Sequence, residues 1–511
     1  MKALLVYPRY PDTFWSFKYA LSFVRRKAAF PPLGLLTVAA MLPADWELKV
    51  VDLNVENLED ADLRWAELVF ISAMVVQKDS TLEVMARCKA MGRKIVAGGP
   101  LFTHLHAELT QAEHIIAGEA EEVLPQFLAD LAAGQAKRLY QCQEHPALAL
   151  TPQPRWELIN LKNYRSMALQ FSRGCPFDCD FCDVVVLFGR KPRFKSAAQV
   201  LAELDSLHAL GWRGTLMVVD DNFIGNKVKA KELLRAMIAW QKERRYPFTF
   251  LTQASVNLAD DPELLSLMAS ANFNEVFLGL ETPSSTALVE CNKRQNQGRD
   301  LVAAVKTIQS YGIEVMAGFI VGFDADSPSI FMEQVRFITQ AAIPTAMVGL
   351  LSLLPGTRLY EKMRQQERLL DLPSGDNAMD AKALNFIPKM GTERLLEGYR
   401  ALLERLYEPK EYYRRAVIYL RRSGRELKHS ASQQWRLSRA DLAAMVRIFW
   451  RLGIRERHRL SYWGFLARVG FTRPTKIPVA LALAATGYHF RKITSRFGAS
   501  LPEPADLTSQ G

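Results

Sequence analysis

Apolar residues in the first 130 positions fall into short β-branched runs separated by stretches of helical spacing. Residues 4–7, 48–52, 68–72, 94–97 and 114–118 read as five strands, with helices such as 33–41 and 81–91 between them. Strands that alternate with helices pair in parallel, so this part predicts a doubly wound α/β domain with its ligand at the strand carboxyl ends. Pro146, Pro152 and Pro154 mark residues 141–162 as a linker. Beyond it strand and helix patterns alternate six more times, with strands at 167–172, 215–220, 248–253, 275–280, 315–320 and 346–351. Six consecutive βα units predict an incomplete parallel barrel with its chemistry at the C-terminal mouth. After residue 370 helical spacing alone remains, as at 395–406 and 443–451. The chain thus divides into an α/β domain (1–140), a linker (141–162), a barrel (163–370) and a mostly helical domain (371–511).

Composition narrows the class. The 49% hydrophobic and 23% charged content is that of a folded protein, which excludes a disordered one. The net charge of +11 is uneven: residues 411–500 hold 19 Lys and Arg against 4 Asp and Glu, a net +15 that leaves −4 for the remainder. Six cysteines are too few for a disulfide scaffold, so a reducing, cytoplasmic setting is expected. Cys88, Cys142 and Cys291 are scattered and read as packed thiols. The apolar run at the N-terminus is too short for a signal peptide, and no apolar stretch reaches the roughly 18 residues of a membrane span.

The other three cysteines form a CxxxCxxC triplet, Cys175-Pro-Phe-Asp-Cys179-Asp-Phe-Cys182, in the loop after the first barrel strand. Three thiolates within eight residues can grip three irons of a cubane cluster and leave the fourth open for chemistry. A zinc knuckle and a disulfide are the alternatives. Zinc calls for four ligands in paired spacing, and no fourth Cys or His lies nearby in the sequence. A disulfide would leave an odd thiol in a tight loop.

The triplet resembles that of the radical S-adenosylmethionine (SAM) superfamily. The resemblance implies a 4Fe-4S cluster whose open iron is chelated by SAM, which is then split to give a 5′-deoxyadenosyl radical while the protein excludes water. It places Phe181 beside the adenine. Asp221 and Asn222, in Asp220-Asp221-Asn222-Phe223 after the second barrel strand, would face the SAM ammonium, which a carboxylate complements. Gln253 and Ser255 after the third strand and Glu281 after the fourth could take ribose hydroxyls. Gly318 and Gly322, in Gly318-Phe-Ile-Val-Gly322-Phe-Asp324, resemble a GxIxGxxE element against adenine, with Ala325 in place of the Glu. Leu354-Pro-Gly-Thr357 is shared among cobalamin-type members, and is also simply a good turn.

In the N-terminal domain Ser72 and Met74 end one strand, Gly98, Gly99 and Pro100 a second, and Gly118 and Glu119 a third. Glycines there let a large ligand approach the backbone, and a Ser hydroxyl can line a buried tail pocket. The pattern resembles the cobalamin-binding domain that precedes many radical SAM domains; a flavodoxin-like module that binds nothing is the alternative. The Asp-x-His-x-x-Gly motif of methionine-synthase-type domains is missing. The matching stretch reads Asp52-Leu-Asn54-Val-Glu-Asn57, and no histidine precedes His104. His104 and His106 are expected as loop residues rather than ligands.

Asn385-Phe-Ile-Pro-Lys-Met390 and Tyr407-Glu-Pro-Lys-Glu-Tyr-Tyr413 resemble an accessory domain of the branch that includes the hopanoid C-2 methylases. Pro11-Asp-Thr-Phe-Trp-Ser-Phe17 and Phe30-Pro-Pro-Leu-Gly34 resemble the same branch. The resemblance implies a cobalamin-dependent radical SAM methyltransferase acting on an unactivated carbon of a small, lipid-like substrate, with flavodoxin or ferredoxin as electron donor. A non-methylating cyclase or rearranging enzyme is the alternative, and a cobalamin sensor or nucleic-acid-binding protein with a structural cluster comes last. Residues 411–500 interleave arginines with Tyr419, Trp435, Trp450, Tyr462, Trp463 and Phe471, which suits an anionic membrane surface or nucleic acid. The apolar run 477–490 is long enough to lie at an inner-membrane interface or to form a core helix.

Overall fold

The computed structural model describes residues 1–142, 144–370, 384–424 and 439–500; Trp435 and the start of the expected helical domain, 371–383, lie outside them. Strands β1 (Lys2–Tyr7), β2 (Glu47–Asp52), β3 (Leu68–Ser72), β4 (Lys94–Gly98), β5 (His114–Ala117) and β6 (Leu139–Gln141) form one sheet in the order β2-β1-β3-β4-β5-β6. Every neighbouring pair is parallel. Ala3 and Leu5 face a core continuous with the barrel, while Leu4 and Val6 face a second core on the other side. Burial on both faces removes polar alternation, which is why these strands read as unbroken apolar runs. β6 is an addition to the five expected strands, at the boundary where the sequence placed the linker; with Tyr140 alone buried, it carries no strand pattern. The linker itself is packed, with Trp156 fully buried.

The second domain contributes β7 (Met167–Leu169), β8 (Ser172–Arg173), β9 (Arg193–Phe194), β10 (Thr215–Val218), β11 (Thr249–Ala254), β12 (Phe273–Glu281), β13 (Glu314–Val321) and β14 (Ala346–Leu350). Six of these form a parallel sheet in the order β14-β13-β12-β11-β10-β7, an open (β/α)6 barrel. The exceptions, β8 and β9, pair as a small antiparallel ribbon. The expected strand 167–172 is therefore split. The Phe171 N–H turns to Asp220 Oδ1 at 2.8 Å, and the chain leaves the sheet. Short polar residues start the helices after the strands: Ser196, Asn226, Asp300 and Thr357 each accept a first-turn N–H.

The open side of the barrel is closed by the two ends of the chain. Helix Thr392–Tyr407 covers edge strand β14, where the Tyr399 hydroxyl donates to Val348 O at 2.8 Å and the Tyr407 hydroxyl to Ala346 O. These bonds satisfy carbonyls that an uncovered edge would leave exposed. Residues 14–17 form the joint: Phe14 packs on Tyr407 and Phe490, Trp15 on Phe277 of β12, and Phe17 on His489. The run 477–490 belongs to the core, not to an interface: Leu481, Leu483, Tyr488 and Phe490 are buried in helix Ile477–Ser500, against helix Lys18–Val24. No helix among the described residues is long and apolar enough to cross a membrane.

Candidate active site

The cluster loop leaves β8 at the barrel mouth. Gly174 opens it with φ +93°, where an added Cβ would sit 3.0 Å from the carbonyls of Phe188 and Gly189. Its N–H donates to Asp221 Oδ2 at 2.9 Å. Farther along, Asp180 N–H donates to Cys291 O, and Asn292 Nδ2 to Asp178 O at 2.6 Å. Arg358, one residue past Leu354-Pro-Gly-Thr357, reaches Asp178 at 2.7 Å and Asp180 at 2.6 Å. That guanidinium holds the Asp178 carboxyl below the usual range. The turn thus anchors the loop, a role its sequence did not disclose.

Cys175, Cys179 and Cys182 are unpaired and half-buried. Asn222 Nδ2 lies 4.0 Å from Cys175 Sγ, and Gln295 Nε2 lies 3.6 Å from Cys179 Sγ. Amide N–H groups aimed at sulfur are what a cluster's thiolates require. Among the described residues no three His, Cys, Asp or Glu side chains converge as a single metal ion would need. A cubane takes each thiolate on a different iron, so this donor set fits the cluster with one iron open.

Around the triplet the strand ends gather most of the expected SAM residues. Asn222 and Ser255 bond each other, with Nδ2 to Oγ at 3.1 Å, and Gln253 lies beside Phe277 in register. Burial raises Asp220 to about 7 and Asp221 to about 6, though each accepts backbone N–H bonds at the head of the cluster loop. Glu281, buried and at φ +62°, is held by Lys293 at 2.7 Å. Lys293 also lies 5.6 Å from the Phe181 ring centre. Burial opposes the Lys293 ammonium, yet Glu281, Cys179 and Cys182 raise its pKa. Gly279 makes room for the pair, because a Cβ there would collide with Glu281 Oε1. Sequence reasoning missed Lys293. The signal was a carboxylate on an interior strand end, which needs a cation that pattern alone cannot locate.

The departure at Ala325 is resolved one residue on. Asp326 Oδ2 accepts the N–H groups of Gly322 and Phe323 at 2.9 and 3.0 Å, so the turn after β13 keeps its acid. Gly318 lies under Phe277, whose Cζ would be 2.9 Å from an added Cβ. Phe323 approaches Phe181 at 6.1 Å between ring centres, which brings this turn to the cysteine loop.

The opposite wall is the carboxyl edge of the first sheet. Ser72, Met74, Gly98, Gly99, Pro100 and Gly118 lie at the ends of β3, β4 and β5. Gly99 has φ +87°, and a Cβ there would meet Ala73 O at 2.9 Å and Ser72 Oγ at 3.0 Å. Met74 is exposed at this edge. Glu119 is engaged elsewhere: its buried carboxylate faces Arg173 and Arg193 at 2.7 Å and His145 at 3.1 Å, across the seam between the domains. Glu121 joins Arg173 at 2.7 Å; burial alone would raise its pKa, and Arg173 brings it below the ordinary range. His104 sits on helix Pro100–Leu105 rather than in a loop, and Nε2 lies 3.4 Å from Asp183 Oδ2, next to Cys182. Asp52 accepts the Tyr164 hydroxyl at 2.9 Å. The two mouths therefore face one another.

Three family descriptions match the chain in order: a B12 binding domain over residues 23–128, the radical SAM superfamily over 169–338, and a domain of unknown function over 357–501. An uncharacterised methyltransferase of Synechocystis sp. is 42% identical across 96% of this chain and 91% of its own. Hopanoid C-2 methylase of Rhodopseudomonas palustris is 32% identical across 91% and 89%. Among solved structures, the cobalamin-dependent SAM radical enzyme OxsB superposes with a TM-score of 0.61 at 14% identity, over 99% of this chain and 80% of its own, a likeness of fold. With both cofactor domains matched in sequence and two methyltransferase relatives matched along nearly their whole length, the chain belongs to the cobalamin-dependent radical SAM methyltransferases, enzymes that work with a 4Fe-4S cluster, SAM and cobalamin.

Proposed function

We propose that this enzyme methylates an unactivated carbon of a lipid-like substrate of the hopanoid type. The observation that carries the reading is an apolar seat inside the barrel mouth. Trp15 enters from the N-terminal segment and packs on Phe277 with ring centres 4.8 Å apart, both partly exposed, above Gly318. Such a seat suits a rigid hydrocarbon better than a charged metabolite. The kinship with a hopanoid C-2 methylase supports the same substrate class.

When bound, the cluster and SAM supply a radical for hydrogen abstraction, and cobalamin supplies the methyl group. The chain's own residues prepare that site. Asn222 and Gln295 direct N–H groups at the thiols, and Lys293 and Glu281 set a fixed charge pair beside Phe181. Phe14, Phe17 and helix Thr392–Tyr407 close the open side of the barrel. An external one-electron donor such as a flavodoxin or ferredoxin completes the system.

The test is anaerobic turnover of the reconstituted enzyme with a hopanoid, cobalamin, SAM and reductant. The expected result is a methylated hopanoid with both S-adenosylhomocysteine and 5′-deoxyadenosine. Deoxyadenosine without S-adenosylhomocysteine would favour the non-methylating alternative. Methylation of a tetrapyrrole but not of a hopanoid would keep the methyltransferase and reject the lipid.

A further inference from the structure

The burial of residues 477–490 leaves the C-terminal positive charge without its expected apolar companion, and the structure supplies another. On helix Arg439–Ile448 and its π-helical continuation Phe449–Arg455, Leu442, Val446, Trp450 and Ile454 recur every four residues and are 53–58% exposed. Four-residue spacing drifts around an α-helix of about 3.6 residues per turn. The wider π turn counters the drift and keeps Ile454 on the stripe. On the next helix, Arg459–Thr472, Leu460 and Phe471 are 81% and 92% exposed, and Trp463 is 45% exposed. Trp463 stacks on Phe449 at 5.9 Å and donates to Gly453 O at 2.9 Å, which ties the second helix to the end of the first.

Among the described residues, the exposed Trp and Phe side chains all lie on these two helices. Residues 439–476 carry 9 Lys and Arg against Asp441 and Glu456, and Glu456 is already occupied by Arg491 at 2.6 Å. Arg455 lies over the Trp450 ring at 5.8 Å. Protein-binding patches are depleted of charge at their centres. Here arginines run between the apolar residues, the arrangement in which rings enter hydrocarbon while guanidiniums remain among phosphates.

We infer that the ridge formed by Leu442, Val446, Trp450, Ile454, Leu460 and Phe471 docks this enzyme flat on an anionic lipid bilayer. The inference does not depend on the identity of the methyl acceptor. Its test is flotation of the anaerobically reconstituted full chain with phosphatidylcholine vesicles, with and without phosphatidylglycerol. Binding is expected to vesicles containing phosphatidylglycerol and to weaken as salt is added. Trp450→Ser with Phe471→Ser should weaken partitioning about tenfold or more, with the circular dichroism spectrum and cluster absorbance unchanged. Arg455→Glu with Arg468→Glu, the latter exposed on helix Arg459–Thr472, should weaken it and flatten its salt dependence. Native protein that fails to float at low salt, or a Trp450/Phe471 variant that floats as well as native, would overturn the inference. So would native protein that is dimeric without lipid and becomes monomeric in that variant, because the ridge would then be a contact between copies.

Discussion

The two parallel sheets turn their carboxyl edges toward each other and furnish them differently. The first sheet ends in Gly98, Gly99 and Gly118, with Ser72 beside them, and its acids Glu119 and Glu121 point across the seam to arginines. The barrel ends in three cysteines, buried Asp220 with partly buried Asp221 beside it, and the Glu281–Lys293 pair. The difference matches the ligands proposed for the two edges, cobalamin at the first and SAM at the second. A large macrocycle is held by backbone that can approach it closely, which calls for residues without side chains. A small zwitterion on a metal cluster is held by charge and directed hydrogen bonds, which calls for side chains fixed in advance.

Removing one of the thiolates proposed to hold the cluster separates the two edges most sharply. Cys179→Ala is expected to abolish 5′-deoxyadenosine formation and the cluster's visible absorbance while the protein still retains cobalamin; loss of cobalamin as well would mean the two edges are not independent. Next is the charge pair. Lys293→Met leaves Glu281 buried without its cation and should cost about 3–5 kcal/mol in urea unfolding. Adding Glu281→Leu should restore most of the stability but not SAM binding, and restored SAM binding would make the pair merely structural.

A smaller effect tests the joint that closes the barrel. His489 is fully buried; its Nε2–H donates to Phe14 O at 3.0 Å and its Nδ1 accepts from Tyr19 N–H at 3.4 Å, so it is built in neutral. Burial lowers its pKa to about 4 from an ordinary 6.5. The unfolded chain therefore takes up the proton first as pH falls. Stability due to this group is complete above 6.5 and is lost as pH falls from 6.5 through 4, on the order of 3 kcal/mol. His489→Gln should flatten that window in melts against pH, and an unchanged slope would assign the loss to other groups. The smallest effect returns to the first edge. Gly99→Ala forces a side chain to φ +87° and should cost about 1–2 kcal/mol. It should lower cobalamin occupancy and leave SAM cleavage intact; reduced SAM cleavage at full cobalamin occupancy would count against the division of roles.

Much of the architecture was legible because its signals are local. The alternation of apolar runs with helical spacing located eleven strands in two sheets, and the spacing of Cys175, Cys179 and Cys182 located the barrel mouth. β6 and the β8–β9 ribbon were not legible, because two or three residues are too few to show a period. Residues 477–490 had the composition of an interfacial helix, and composition cannot say which apolar surface will cover a helix.

The sequence by itself determined the order of domains, the parallel sheets and the placing of the three cysteines proposed to hold the cluster, since period and spacing act over a few residues. Tertiary structure decided which groups hold the cysteine loop, the barrel closure and the domain seam in place. Arg358 meets Asp178 from 180 residues away, His489 meets Phe14 from 475, and Arg193 meets Glu119 from 74. Such pairs exist because a buried charge or polar group must find a partner wherever the fold brings one, and no local pattern records where that will be.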